Sequence, residues 1–197
     1  MASIKLTRDR SLTAGLVFAG GQSTRMGADK AVLHVDGQPL IARVLTALGG
    51  LSTVVIVGGN EDDFRELDVR WLADAHPGEG PLGALITGMK HVAAEQVVAA
   101  ACDLPHLRAS VVDELIGQLR SSGAQVATPL IAGTHQWHVA VWSNDALPAL
   151  EDAFSRGERS LRSVANELDV VSVVFASQRE FDDVDTPDDL ARAFPSD

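Results

Sequence analysis

The sequence predicts a three-layer α/β/α fold, Rossmann-like, with a mostly parallel sheet of about seven strands. The first observation is that short apolar runs alternate with longer helical patterns along the chain. The second is that three of these runs contain LVFA, VVIV and VVAAA, which are apolar throughout and typical of strands covered by helices on both faces. The third is that no internal repeat or long linker interrupts the alternation, so residues 1–197 are expected to form one domain behind a flexible leader at residues 1–12.

The individual elements follow from these patterns. The apolar runs predict strands over residues 14–19, 53–57, 69–72, 96–101, 124–128, 137–142 and 170–175. The segments between them predict helices over residues 40–48, 82–94, 109–121, 146–155, 161–168 and 188–193. In residues 82–94, apolar residues recur at three- and four-residue steps. The last helix begins at Pro187, which is followed by two aspartates that suit the positive end of a helix. Residues 133–142 break the alternation and are predicted to form a hairpin or a locally antiparallel strand.

Composition excludes several classes of partner. The chain has 27 acidic and 16 basic residues, for a net charge of −11, so its surface repels nucleic acid and anionic membranes. No apolar run approaches the roughly 20 residues that cross a bilayer. The lone cysteine, Cys102, excludes an internal disulfide and suits a cytoplasmic protein.

The loop after the first strand carries the clearest chemical pattern. Gly20 and Gly21 remove side chains, so backbone N–H groups can approach phosphate oxygens closely. Arg25 and Lys30 add clustered positive charge in the N-terminal half of an acidic chain. A glycine-rich turn with solvated cations is the alternative, but the combination after a buried strand favours a phosphate site.

Carboxylates offer a partner for that loop. Asp103 follows the fourth strand and is expected to face the same crevice, where Mg²⁺ needs only one or two protein carboxylates beside a triphosphate. The alternative is an aspartate that starts a turn before Pro105. Asp183 and Asp185 flank one residue and are expected to point the same way on a strand, so that one of them joins the metal. Alternatively, Asp185 caps the last helix.

Four segments in order resemble one family. AGGQSTRMGADK (residues 19–30) resembles the signature loop of the sugar-nucleotide type of nucleotidyltransferase, and its doubled glycine and MGxDK ending are most similar to the molybdenum cofactor guanylyltransferases. LADAHPGEGPLGALITGM, ACDLPHL and FDDVDTPDDLA resemble that family's D…GPLxG, CDxPxL and NxNTPxDL segments. The similarity covers residues 14–193. It implies a cytoplasmic, Mg²⁺-dependent enzyme that transfers GMP from GTP to molybdopterin and releases pyrophosphate.

The resemblance also implies roles for particular residues. The implied catalytic residues are Arg25, Lys30 and Asp103, and the implied metal ligands are Asp103 and Asp185. The implied nucleotide-binding residues are Phe18, Ala19, Gly20, Gly21, Lys30, Gly58, Asn60, Asp74 and Asp103. Among these, Gly58 stands where the guanylyl family often has Asn, and Asn60 either substitutes for it or is an ordinary loop residue.

Some departures keep other functions open. Asp185 is more typical of the cytidylyl-transferring relatives, so transfer from CTP, or to a sugar phosphate, remains an alternative, as does a non-catalytic GTP-binding protein. A molybdoenzyme or cofactor-biosynthesis protein is a further expected partner. Two further segments are similar to the family's acceptor side. One runs from His135 to His138, where Trp137 either stacks on a pterin or is buried. The other, GERSL at residues 157–161, lies near the cofactor phosphate or on a solvated face.

Overall fold

The computed structural model describes residue 10 and residues 12–20 and 30–194. The strands in this part of the chain are β1 (Thr13–Phe18), β2 (His34–Val35), β3 (Gln38–Pro39), β4 (Thr53–Val57), β5 (Arg70–Leu72), β6 (Gln96–Ala101), β7 (Val126–Ile131), β8 (Thr134–His135), β9 (Val139–Ser143) and β10 (Val170–Val174). The helices are α1 (Leu40–Ala47), α2 (Gly80–His91), α3 (Ala109–Ser122), α4 (Leu147–Ser155), α5 (Leu161–Ala165) and α6 (Pro187–Ala193).

The main sheet has the strand order β10-β7-β9-β6-β1-β4-β5, and β8 pairs with β7. β1 runs parallel to both β4 and β6, β4 is parallel to β5, and β7 is parallel to β10. β9 alone on this path runs antiparallel to its neighbours, β6 and β7. The predicted α/β class with a mostly parallel sheet is confirmed, and so is the antiparallel structure predicted for residues 133–142.

Helices cover both faces of the sheet. Neighbouring residues of β1 point to opposite faces, Val17 toward the side of α1 and α3 and Leu16 toward the side of α2 and α4. Helix α2 packs closely on β1 at Gly88, where a Cβ atom would lie 2.5 Å from Leu16 Cδ1. Among the described residues, no helix is long and apolar enough to cross a membrane.

β7 differs most from its predicted bounds, since it begins at Val126 and continues through Pro129 to Ile131. Proline is tolerated because β9 pairs with β7 only at Val126 and Ala127, whereas β8 pairs with Leu130 and Ile131. Pro129 therefore lies where β7 changes partners, and its missing N–H leaves no ladder bond unmade on that side.

Candidate active site

The carboxyl ends of β1, β4 and β6 meet at one edge of the sheet. Phe18, the last residue of β1, is in register with Val57 on one side and Ala101 on the other. Past these strand ends, the Ala19 N–H donates to the Val57 carbonyl at 3.0 Å and the Cys102 N–H donates to the Phe18 carbonyl at 3.2 Å. The parallel pairing thus brings the start of the glycine loop and the segment of Asp103 into one crevice, as the sequence predicts.

A cavity of about 1080 Å³ opens at this edge. It is lined by five of the residues predicted to bind nucleotide, namely Phe18, Ala19, Gly20, Gly58 and Asp74. Its volume is large enough for a nucleotide, since ligand pockets usually measure about 300–1,000 Å³. Asn60 is not part of the lining; its side chain accepts a hydrogen bond from the Asp62 N–H at 3.3 Å and caps the short helix Glu61–Phe64. Gly21 and Arg25 lie outside the described residues.

Past the ends of β1 and β4, the cavity is lined by glycines, which expose their backbone atoms. Gly58 has a φ of +81°, and a Cβ atom there would lie 3.2 Å from both Cα and N of Gly20. The Gly58 carbonyl accepts a hydrogen bond from Trp71 Nε1 at 2.9 Å, and Trp71 also lines the cavity. Sequence reasoning missed Trp71; its place at the end of the predicted third strand was the available signal, since that strand ends at the same sheet edge.

Asp74 lines the cavity and its carboxylate is held by two hydrogen bonds. Its Oδ1 atom accepts from the His76 N–H at 2.9 Å and from the Thr87 hydroxyl at 3.1 Å. Thr87 belongs to α2 and is only 8% exposed. Asp74 therefore presents a fixed carboxylate to the cavity.

An ionic cluster lies beside the cavity, on the β6 side of the crevice. The Nζ atom of Lys30 is 3.4 Å from Oδ2 of Asp103 and also pairs with Asp185. One carboxylate oxygen from each of Asp103, Asp183 and Asp185 lies within 4.8 Å of the others. We call these four residues the Lys30–carboxylate cluster. It brings together the predicted lysine, both predicted metal ligands and Asp183, the other carboxylate considered for the metal.

The segment that carries Asp183 and Asp185 is not a strand, so the prediction of a strand there is wrong. The Val184 N–H donates instead to the backbone carbonyl of Asp103 at 3.1 Å, and this bond fastens the segment to the end of β6. The suggestion that Asp185 caps the last helix is also wrong, because Thr186 is the N-cap and forms a capping box with Asp189. Asp185 is thereby left to the cluster.

The electrostatics of the cluster suit a divalent cation. Burial raises the pKa of the Asp103 carboxyl; the Lys30 charge opposes that rise and the Asp183 charge adds to it. Oδ1 of Asp103 is buried and has no hydrogen-bond partner among the described residues, which is costly for a carboxylate oxygen. Mg²⁺ prefers carboxylate oxygens and needs few of them from the protein. The donor set and the orphaned oxygen therefore both fit Mg²⁺.

Lys30 stays charged in this setting. Burial lowers the pKa of its ammonium group, but the hydrogen bond to Asp185 and the charge of Asp103 outweigh burial, so the pKa ends above its usual value. A permanent cation is thus held in the crevice beside the cavity, where it can contact phosphate oxygens.

Of the residues from His135 to His138, predicted on the acceptor side, only some lie near the Lys30–carboxylate cluster. His138 reaches the cluster, with Nε2 3.9 Å from Oδ2 of Asp183. Trp137 is half-buried and makes tilted ring contacts with His135 and Trp142, at 5.5 Å and 6.4 Å between ring centroids. Gln136 donates to the Thr134 carbonyl and contacts the Gln178 side chain.

Arg159, in the GERSL segment, and Arg156, just before it, both pair with acidic side chains of the protein. Arg156 pairs with Asp152 and Glu167. Arg159 pairs with Glu79 at 2.5 Å and lies over the Phe154 ring at 4.0 Å. Arg159 therefore stabilises the loop that precedes α2, through its ion pair with Glu79.

Known proteins resemble the chain over nearly its whole length. A molybdenum cofactor guanylyltransferase of Burkholderia ambifaria is 34% identical over 90% of this chain and 93% of its own, and one of Serratia proteamaculans is 31% identical over 90% and 92%. The solved structure of molybdopterin-guanine dinucleotide biosynthesis protein A from Archaeoglobus fulgidus superposes with a TM-score of 0.78 at 25% identity, covering 91% of this chain and 96% of that one. The MobA-like NTP transferase domain matches residues 15–171, and the chain belongs to this family.

Proposed function

We propose that this protein is a Mg²⁺-dependent molybdenum cofactor guanylyltransferase, which transfers GMP from GTP to molybdopterin and releases pyrophosphate. The observation that carries the proposal is that the cavity and the Lys30–carboxylate cluster lie at the same edge of the sheet, past the ends of the adjacent strands β1, β4 and β6. Membership of a nucleotidyltransferase family and the printed activity of the relatives support it. The single, buried cysteine is in keeping with a cytoplasmic enzyme.

The nucleotide is bound by backbone at one end and by charge at the other. The cavity receives the nucleoside, and the bare backbone of Gly20 and Gly58 permits close approach. Lys30 contacts the α-phosphate, and Arg25 grips the outer phosphates, as its place in the glycine loop predicts. Mg²⁺, held by Asp103 and Asp185, would neutralise charge on the triphosphate when bound.

The transfer itself needs no covalent enzyme intermediate. The phosphate of molybdopterin attacks the α-phosphorus of GTP, a new P–O bond forms, the bond to the β-phosphate breaks, and the electron pair leaves with pyrophosphate. A phosphate is already ionised, so no side chain has to remove a proton. Lys30 stabilises the charge that moves onto the bridging oxygen, and the walls of the cavity hold the reacting groups in line.

Pyrophosphate release tests the proposal directly. With molybdopterin and Mg²⁺, we expect GTP to be used at least tenfold more efficiently than CTP, a difference of about 1.4 kcal/mol in transition-state binding. Lys30→Ala should lower turnover strongly with GTP. Turnover that requires Mg²⁺ but prefers CTP would overturn the guanine assignment, and nucleotide binding without turnover would overturn the enzyme assignment.

Transfer from CTP is the second candidate, favoured by Asp185 and Gly58. Both residues lie at the site, Asp185 in the cluster and Gly58 in the cavity wall, so they bear on the choice of nucleotide. The GTP and CTP arms of the same assay separate the two candidates.

A further inference from the structure

The carboxylate of Asp74 has one occupied and one available oxygen. Oδ1 accepts two hydrogen bonds, from the His76 N–H at 2.9 Å and from the Thr87 hydroxyl at 3.1 Å. No hydrogen bond from another described residue reaches Oδ2. Because Asp74 lines the nucleoside cavity, Oδ2 is the oxygen left for a ligand.

Thr87 is the side chain that ties Asp74 to the helix. It lies on the buried face of α2 and is 8% exposed, so its hydroxyl needs partners inside the protein. The hydroxyl oxygen accepts from the Ala75 N–H at 3.3 Å, and its one proton is shared between the Gly83 carbonyl at 2.9 Å and Oδ1 of Asp74 at 3.1 Å. Thr87 thus links both residues 74 and 75 of the segment after β5 to α2.

We propose that Thr87 is a positioning residue for guanine recognition, which orients the Asp74 carboxylate so that its available oxygen accepts the donors of the guanine ring. This inference rests on the proposed function and deepens it. Guanine presents two adjacent donors, N1–H and N2–H, to a carboxylate, whereas cytosine presents one donor group, the N4 amine, beside acceptors at N3 and O2 that a carboxylate repels. A carboxylate with a fixed orientation therefore discriminates between the two bases more sharply than a mobile one.

The test compares nucleotides that differ only in these donors. ITP lacks the N2 amine of GTP, so the ratio of GTP to ITP affinity reports the carboxylate contact. In Thr87→Val, which keeps the shape but removes the hydroxyl, we expect the KM for GTP to rise about tenfold, with little change in kcat, and the preferences for GTP over ITP and over CTP to shrink. Thr87→Ser retains the hydroxyl and should restore most of the preference.

Thr128→Val is the matched control. Thr128 is a fully buried hydroxyl on β7 that bonds the Gln136 carbonyl at 3.3 Å and does not line the cavity. Its loss should lower the unfolding temperature without changing the nucleotide ratios, which separates a general packing defect from a positioning defect.

The outcomes distinguish the inference from the proposed function. If the wild-type protein shows no preference for GTP over CTP, the proposed function fails. If the wild-type protein prefers GTP and Thr87→Val keeps the wild-type GTP:ITP ratio, only the role of Thr87 fails. If Thr87→Val instead changes discrimination between GTP and dGTP alone, Asp74 contacts the ribose and the guanine assignment for this residue is overturned.

Discussion

The two halves of the candidate site lie side by side and are built in opposite ways. The cavity wall depends on missing side chains, since a Cβ atom at Gly58 would lie only 3.2 Å from the backbone of Gly20. The Lys30–carboxylate cluster depends on side chains that carry charge, above all the partly buried Asp103. The first half is therefore sensitive to added volume and the second to lost charge. Substitutions chosen by this distinction should break one half while the other remains intact.

The largest effect is expected for Asp103→Asn. Because Oδ1 of Asp103 has no hydrogen-bond donor among the described residues, its charge serves ligand binding more than folding. We expect Mg²⁺-dependent transfer to fall about 100-fold or more, in the range seen when one charge-stabilising group is removed. Pyrophosphate release measures this, and GTP binding without metal should change far less, because the cavity is intact.

The same variant makes a prediction about stability and pH. Burial raises the pKa of Asp103 above its usual 3.8, so the folded state binds the proton more tightly than the unfolded state does. The penalty for the ionised carboxylate is absent at low pH and appears as pH rises from about 4 through the raised pKa. In chelator, Asp103→Asn should escape this penalty, and its unfolding temperature at neutral pH should equal or exceed that of the wild type. A clear loss of stability would show that the ion pair with Lys30 outweighs burial.

Gly58→Ala should break the cavity half alone. The new methyl would lie 3.2 Å from backbone atoms of Gly20, so the two loops must move apart. We expect nucleotide affinity to fall about tenfold to 100-fold, since small displacements of a binding group have effects of this size. Binding of GTP without metal, measured by calorimetry, reports the change.

Gly123→Ala controls for backbone strain. Gly123 ends α3 with a φ of +69°, a methyl group there would meet no described atom within 4 Å, and the residue is not part of the cavity lining. Both substitutions should cost about 1–2 kcal/mol of stability, because both force a side chain into the left-handed region. Equal losses of GTP affinity in the two variants would contradict a specific role for the Gly20–Gly58 contact.

Lys30→Met should raise the metal affinity of the protein without nucleotide. The ammonium group pairs with the carboxylates of Asp103 and Asp185, which would also hold a divalent cation, so the two cations compete. We expect Mn²⁺ to bind the variant about tenfold more tightly, equivalent to about 1.4 kcal/mol, while transfer activity falls. Mn²⁺ titration followed by electron paramagnetic resonance measures the affinity.

Lys90→Met makes the same change in net charge at a different place. Lys90 pairs with Glu151 on the exposed side of α2. If Mn²⁺ affinity rises as much in this variant as in Lys30→Met, the effect comes from overall charge and not from competition at the cluster.

The positions of the strands that carry the two halves of the site could be predicted from the sequence, because the signals for them are local. Apolar runs bounded by loops located β1, β4 and β6, and parallel pairing of those strands then places Lys30 and Asp103 together. The sequence could not show that Asp183 and Asp185 converge without a strand, because a single long-range bond from Val184 to the Asp103 carbonyl fixes their segment. It could not show Thr87 holding Asp74 either, since that contact depends on how α2 lies on the sheet.

The smallest effect is expected for Thr186→Ala, which loosens the cluster without touching its charges. The Thr186 hydroxyl accepts from the Asp189 N–H at 3.2 Å, and the Asp189 carboxylate accepts in return from the N–H groups of Thr186 and Asp185. Losing a helix cap costs about 1 kcal/mol, or roughly 2–4 °C in unfolding temperature for a chain of this length. Because the cap adjoins Asp185, we expect the Mg²⁺ concentration for half-maximal activity to rise severalfold as well. Ser160→Ala removes the cap of α5, away from the cluster, and should lower the unfolding temperature alone. The same Mg²⁺ requirement in both variants would mean that the carboxylates hold their arrangement without the cap.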